Sequence, residues 1–188
     1  MDSFRWISVA ISMILGLGVT RILSSAIVVF RSRRRAVIDW IPLAWAFSIF
    51  VLQLQFWWAV LELARVERPW SLFEFLTMIA IPLLLFVAAA LVLPADELEA
   101  GERLGDAFEQ DGRFGLLSLS GYAAMALFVD RTIFETGLAS ATTAFLGAEL
   151  LLPLVFLART GRGVRAISTV LYALIVLWSS WSLSPKVY

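Results

Sequence analysis

The stretch "DWIPLAWAFSIFVLQLQFWWAVLEL", residues 39 to 63, decides the fold because it is long, apolar and charged only near its two ends. A helix of about 20 apolar residues crosses the hydrocarbon core of a bilayer. A helix is favoured there because lipid offers no hydrogen-bond partner to backbone N–H and C=O groups. The stretch therefore predicts a transmembrane helix.

The same pattern recurs along the chain. Hydrophobic residues make up 61% of the 188 residues and charged residues only 16%, whereas soluble domains are about half apolar and a quarter charged. The sequence therefore predicts an all-α, polytopic membrane bundle of six transmembrane helices that forms a single membrane domain over residues 1–188. We place the six spans at about residues 4–30, 39–63, 72–93, 114–129, 138–158 and 164–183.

Basic residues in the short loops predict the orientation. "RSRRR" at 31–35 and "RTGRGVR" at 159–165 are rich in arginine, and such loops stay on the cytoplasmic side. An even number of spans separates them, which is consistent with a common side. The loop at 94–113 falls on that side by alternation. We therefore expect a multi-pass protein with both termini periplasmic or extracellular.

The long loop carries an amphipathic pattern. In "PADELEAGERLGDAFEQDGR", Leu98, Gly101, Leu104 and Phe108 recur every three or four residues between acidic side chains. This spacing predicts a cytoplasmic amphipathic helix over about 95–111. Its acidic face is either solvated or, across residues 97–109, a docking site for a basic protein partner.

Small residues predict where helices approach closely, because packing in lipid depends on close backbone contact. Two helices carry a stripe of small residues along one face. Such a stripe could contact another helix of the same chain or a second chain, and we favour contacts within the chain for at least one of the two stripes. In the first span the small residues fall at every fourth position: Ser8, Ser12, Gly16, Thr20 and Ser24. The fifth span has the same spacing of small residues, at Ser140, Ala144 and Ala148.

The two halves of the chain resemble each other weakly. "VTRIL" at 19–23 is similar to "VDRTI" at 129–133, and "DWIPLAWAF" from Asp39 is similar to "ELLLPLVFLA" from Glu149. Three spans separate the members of each pair, so the halves would have opposite orientations. This is the organisation of a 3+3 inverted repeat, which many transporters have.

Ionisable residues inside the membrane are costly and are the first candidates for function. Glu149 lies near the centre of the fifth span, with Thr142 two turns earlier on the same face. It is either a proton-carrying group or a structural acid bonded to a neighbouring helix. Arg21 lies about two turns from the end of the first span. It either extends to the interface or packs inside, paired with Glu149 or Asp39.

Two glutamines in the second span face different ways, since helical residues two apart project about 200° from each other. Gln55 shares a heptad-spaced stripe with Ser48 and Glu62, which predicts a polar, wet face. Gln53 lies instead among Phe50 and other aromatic residues. We interpret Gln53 as an amide that bonds to another helix and stabilises helix packing.

The composition also excludes several function classes. Cysteine and histidine are absent, which removes disulfides, thiol nucleophiles, imidazole bases and the usual ligands of zinc, copper and haem. We therefore expect no metal site, no cofactor and no enzymatic activity. Fifteen basic and fifteen acidic residues balance, so nucleic acid is not an expected partner.

Several motifs together resemble a family of small, uncharacterised bacterial inner-membrane proteins of similar length. They are "GLGVTR" in the first span, "DW" followed by "QLQFWW" in the second, "LP" closing the third, and F-x-x-x-x-R-F before the fourth. The resemblance implies six spans and a bacterial inner (plasma) membrane. It implies no site residues.

The leading functional hypothesis is a small channel or transporter for protons, ions or a small solute. Six helices with short loops enclose only a narrow path, so we expect a homo-oligomer in the lipid bilayer. The alternative is a non-transporting sensor or assembly subunit that docks a partner through its acidic loop helix. The candidate residues of the path are Arg21, Ser48, Gln55, Glu62, Thr142 and Glu149.

Overall fold

The computed structural model describes the backbone of residues 3–63, 71–132 and 140–183, and the side chains of 6–60, 71–132 and 140–182. These residues form helices and loops and include no β-strand. All six long helices are long and apolar enough to cross a membrane. The predicted all-α, six-span architecture is confirmed, and the chain is an integral membrane protein. The helices are α1 (Ser3–Ser32), α2 (Trp40–Leu63), α3 (Leu72–Val92), α4 (Leu104–Thr132), α5 (Ala141–Ala158) and α6 (Arg162–Leu183).

Polar side chains fix the starts of three helices by accepting hydrogen bonds from N–H groups that have no partner within the helix. Ser71 and Glu74 form a capping box at α3, in which the Ser71 hydroxyl oxygen accepts from the Glu74 amide (3.2 Å). Ser140 accepts from the Thr143 amide at α5 (3.1 Å). Asp39 Oδ1 accepts from the Ile41 amide at α2 (3.1 Å).

The six helices form a closed ring. Going round the ring the order is α1, α3, α4, α5, α6 and α2, with α2 packing back against α1 and also against α3. Serines join neighbouring helices: Ser118 of α4 donates to the Leu84 carbonyl of α3 (2.8 Å), and Ser120 donates to the Leu150 carbonyl of α5 (3.3 Å). The ring therefore encloses one shared interior.

The two halves of the ring pack differently. In the first half α1 lies along α3. The equivalent helices of the second half, α4 and α6, make no comparable contact in the described residues, because α5 lies between them. An inverted repeat would preserve these pairings. The packing therefore does not follow the proposed 3+3 repeat.

Three loops meet at one end of the bundle, as the alternation of spans predicts. Backbone hydrogen bonds join the first two: the Val37 amide donates to the Glu102 carbonyl (2.8 Å), and the Leu104 amide donates to the Val37 carbonyl (3.0 Å). An ion pair between Arg165 and Glu109 joins the third loop to the second. We call this the arginine-rich end (residues 31–39, 94–113 and 159–165). The opposite end is where α2 ends and α3 begins.

The loop helix predicted over 95–111 is present only from Leu104 onward, and it is not separate from the fourth span. Helix begins only at Leu104, and it continues through a π-helical turn at Phe108–Gly112 into the fourth span. Gly101 has φ +88°, which the right-handed helix does not allow. The Leu98 amide donates to the Ser32 hydroxyl (3.1 Å), which ties this segment to α1. The apolar spacing thus reflects separate tertiary contacts of Leu98 and Leu104, and not one helix face.

The structure also does not show the internal packing role that we favoured for at least one of the two small-residue stripes. Thr20 is exposed and its hydroxyl donates to the Gly16 carbonyl of its own helix (2.8 Å). A Cβ added at Gly16 would touch nothing within 4 Å, and Ser12 is only half-buried. On α5, Ala144 is exposed and Ala148 is half-buried. Both stripes therefore face largely out of the bundle, where lipid or a second copy can contact them. The buried face of α1 consists of larger residues: Ile7, Ile11, Leu15, Ile22 and Val29.

Candidate functional site

Glu149 lies at the centre of the polar interior. It is on α5 and only 2% exposed, and its Oε1 accepts a hydrogen bond from the Ser179 hydroxyl of α6 (3.3 Å). None of the described arginine side chains forms an ion pair with it. A carboxyl group this deep without a cation is rare in membrane proteins and usually has a function.

Two buried tyrosines flank this carboxyl group. Tyr122 of α4 is only 5% exposed and Tyr172 of α6 is 0% exposed, and both lie in the interior that holds Glu149. The Tyr172 hydroxyl is buried and has no hydrogen-bond partner among the described residues. Three buried groups with exchangeable protons therefore lie on α4, α5 and α6, which pack in that order.

Aromatic rings separate this core from the arginine-rich end. The Trp45 ring packs on Tyr172 with centroids 4.6 Å apart, and it meets Phe156 edge-on at 5.6 Å. Phe156 in turn meets Phe108 edge-on at 5.9 Å. The Trp45 indole N–H is buried without a partner in the described part of the chain. We call Phe108, Phe156 and Trp45 the aromatic layer.

An ion pair covers the aromatic layer from the arginine-rich end. Arg165 Nη1 donates to Glu109 Oε1 at 2.6 Å, and Arg165 Nε donates to the Arg159 carbonyl (3.1 Å). The guanidinium carbon lies 5.4 Å from the centroid of the Phe156 ring. The contact joins α4 to the start of α6 and closes this end above the core.

Cavities lie at both ends of the core. A cavity of about 180 Å³ in the half towards the opposite end is mostly apolar, and Tyr122, Asp130 and Thr142 line it. A cavity of about 420 Å³ at the arginine-rich end has Phe108 and Phe156 among its walls. Tyr122 thus lines the first cavity, and two rings of the aromatic layer, Phe108 and Phe156, line the second.

Gln53 contributes a further buried polar group. Its side chain is 0% exposed and packs against Gly18 of α1, and neither amide atom has a hydrogen-bond partner in the residues described. A buried polar group without a partner costs about 1–3 kcal/mol. Such groups in native structures call for an explanation, such as a bound water or a functional role. The interior thus holds more polar groups than the described contacts satisfy.

The structure pairs Arg21 with neither Glu149 nor Asp39. Arg21 donates from Nη1 to the Ser25 hydroxyl (2.8 Å) and from Nη2 to the Ala90 carbonyl of α3 (2.9 Å). Ala90 lies in the last turn of α3, where carbonyls lack a partner within the helix, and Pro94 four residues later has no amide to offer. Arg21 therefore packs between helices and satisfies the end of α3.

The two glutamines face different helices, as predicted, but their contacts differ from our interpretation. Gln55 Oε1 accepts from the Ser180 hydroxyl of α6 (3.0 Å), so Gln55 makes the interhelical bond expected of Gln53. Ser48 is buried and its hydroxyl donates to the Ala44 carbonyl of its own helix (2.8 Å). The side chain of Glu62 lies outside the described residues.

Of the six candidates for the path, Thr142 lines the cavity towards the opposite end and Glu149 lies buried in the interior. Sequence reasoning missed Tyr122, Tyr172 and Trp45. One signal was available for the tyrosines: the chain has only three, and two of them fall within spans. Tyrosine is normally enriched at the membrane interfaces, so a tyrosine within a span deserved a place among the candidates.

Comparison with known proteins finds no matching family, no similar curated protein and no similar solved structure. The resemblance to small bacterial inner-membrane proteins therefore stays a prediction.

Proposed function

We propose that this protein conducts protons across the membrane along a path centred on Glu149. One observation carries the proposal: a buried carboxyl group, unpaired with any described arginine, lies in the interior of a helix bundle that has one cavity towards each end. A carboxyl group can take up a proton and release it again. Its position inside a closed ring of helices lets it do so between the two membrane surfaces.

The route follows neighbouring side chains. From the opposite-end cavity, Tyr122 leads to Glu149, and Tyr172 continues towards Trp45 and the aromatic layer. Hydroxyl and carboxyl groups exchange protons directly or through water. The unsatisfied polar atoms of Trp45 and Tyr172 would hydrogen-bond to water that enters this region.

Proton release at the arginine-rich end requires the Arg165–Glu109 ion pair, which covers Phe156, to separate. Pro153 gives α5 a place to bend, because it has no amide to bond to the Glu149 carbonyl one turn earlier. Bending there would move Phe156, three residues further on, away from Phe108 and Arg165. The bond between Arg165 and Glu109 would then act as the gate of the path.

The arginine-rich loops indicate how the protein is oriented in the membrane. We infer that the arginine-rich end faces the cytoplasm of a bacterial cell and that both termini lie outside it. A homo-oligomer suits so small a bundle, and the outward small-residue stripe of α1 offers a surface for contact between copies.

The alternative, a sensor or assembly subunit that docks through acidic residues 97–109, has less support. Two of those acidic side chains are already engaged within the chain, since Glu97 pairs with Arg35 and Glu109 pairs with Arg165. Glu102 accepts a bond from the Glu99 amide (2.7 Å). The segment has few free charges with which to bind a basic partner.

Proton flux in proteoliposomes tests the proposal. Liposomes that contain the protein and an internal pH-sensitive dye receive an imposed pH gradient, with potassium and valinomycin to compensate charge. We expect the internal pH to change faster than in protein-free liposomes, and faster still when the potential drives protons inward. Rates equal to those of protein-free liposomes under both conditions would contradict the proposal.

A further inference from the structure

The cavity of about 420 Å³ at the arginine-rich end has the size and the charges of a ligand site. Its volume lies in the range of about 300–1,000 Å³ that is usual for small-molecule pockets. Three segments form it: residues 37–42, 103–109 and 160–165. These segments contain the starts of α2, α4 and α6, so three helix N-termini converge on one cavity.

Arginines line this cavity from two of the three segments, and two of these arginines have no side-chain partner among the described residues. Arg165 is bonded to Glu109. Arg103 and Arg162 form no ion pair or side-chain hydrogen bond with the described residues. The arrangement leaves two guanidinium groups, with donors unused, at the wall of one cavity.

The acidic residues of the cavity are mostly engaged elsewhere. Glu109 accepts from Arg165, and Asp39 accepts from the Ile41 amide at the start of α2. Asp106 is the remaining acidic side chain of the lining. Once the Arg165–Glu109 pair cancels, the lining holds two guanidinium groups and two carboxylates, those of Asp39 and Asp106. The Asp39 carboxylate is held at the start of α2 by the Ile41 amide, and helix N-termini add positive potential.

We propose that this cavity binds a phosphate group between Arg103 and Arg162. The planar guanidinium fork matches the geometry of phosphate oxygens and binds them through charge-assisted hydrogen bonds. The Thr160 hydroxyl lines the same cavity and supplies a further donor, and Trp40, 46% exposed, forms part of its wall. This site does not depend on proton conduction.

The phosphate group has two sources with the same chemistry. One is a free phosphate or a small phosphorylated solute. The other is the headgroup of an anionic phospholipid, because basic pockets between helices at the membrane surface bind such headgroups. The proposal therefore needs two binding experiments, one with free phosphate and one with an anionic phospholipid.

Binding of radiolabelled inorganic phosphate tests the first source. The protein is reconstituted in nanodiscs of phosphatidylcholine, and saturable binding is measured by equilibrium dialysis. The double variant R103Q/R162Q should weaken binding about tenfold or more, the loss expected when charge-assisted hydrogen bonds are removed. D106N should tighten binding, because it removes a like charge from the wall. R34Q, which neutralises an exposed arginine of the first loop outside the cavity, is the matched control and should bind as the wild type does.

Native mass spectrometry tests the lipid source after reconstitution with phosphatidylglycerol. If a headgroup occupies the site, bound phosphatidylglycerol is retained by the wild type and by R34Q and is lost from R103Q/R162Q. Either arm supports the proposal when its ligand responds to the double variant. The tighter binding expected of D106N cannot result from misfolding. The proposal is overturned if neither ligand responds to R103Q/R162Q, or if D106N weakens binding.

Discussion

Replacing Glu149 with glutamine should reduce proton flux about 100-fold, the lower end of what a positioned proton-transfer group contributes. The amide keeps the shape of the side chain and can still accept a bond from the Ser179 hydroxyl. It cannot take up and release a proton in the way a carboxyl group does. The measurement is the rate of pH change in proteoliposomes under an imposed gradient.

Glu99→Gln is the matched control for this prediction. It makes the same chemical change in an exposed residue of the 94–103 segment, far from the core. Thermal unfolding in detergent should show that both variants stay folded. If E149Q and E99Q conduct at the same rate, Glu149 has no part in conduction and its role is structural.

Replacing Gly18 with leucine should destabilise the bundle strongly. A Cβ at this position would lie 2.2 Å from Nε2 and 3.0 Å from Cδ of Gln53, far inside van der Waals contact. Because Gln53 is fully buried, its amide has no open space to move into. Overpacking of this kind costs about 1–3 kcal/mol, and a leucine adds more atoms than a single Cβ. A lower midpoint of thermal unfolding in detergent measures the effect.

Gly16→Leu provides the comparison for G18L. Gly16 is on the same helix, two residues earlier, and a Cβ there meets nothing within 4 Å. Both changes replace a helical glycine by a better helix former, so the difference between them isolates the contact with Gln53. The double variant G18A/Q53A should recover stability lost in G18A. Equal midpoints for G18L and G16L would mean that α1 and α2 do not pack through this contact.

The sequence predicts those features of this protein that depend on local chemistry. The length and polarity of each span are local properties, so all six helices were predictable. The common side of the arginine-rich loops follows from counting spans. Glu149 was recognisable because a carboxyl group in the middle of an apolar segment is conspicuous in any arrangement of helices.

Features that depend on the order of helices in the ring were not predictable. A period of four identifies one face of α1, but it does not say whether that face meets a neighbour or lipid. The structure buries the face that carries Ile11 and Leu15 and leaves Gly16 outside. Tyr122 and Tyr172 share the interior with Glu149 because α5 packs between α4 and α6.

The long loop shows a second limit. Leu98 and Leu104 are both buried, and their spacing fits a helix face. In the structure, backbone bonds to residues 35 and 37 hold this segment extended, and Gly101 turns the chain at a positive φ. Contacts between segments distant in sequence thus override the local helical pattern.

The most direct test of a path through the core is the reactivity of a single cysteine at position 179. The chain has no cysteine of its own, so S179C introduces one thiol beside Glu149. A thiol reacts as its thiolate, which needs water. We expect S179C in liposomes to react with a charged, membrane-impermeant thiol reagent. Leu17→Cys, at a position 61% exposed on the outside of α1, should not react because it faces lipid. If S179C is as unreactive as L17C while a surface control, A100C, reacts fully, no hydrated path reaches Glu149 and the account of a water-filled route through the core is wrong.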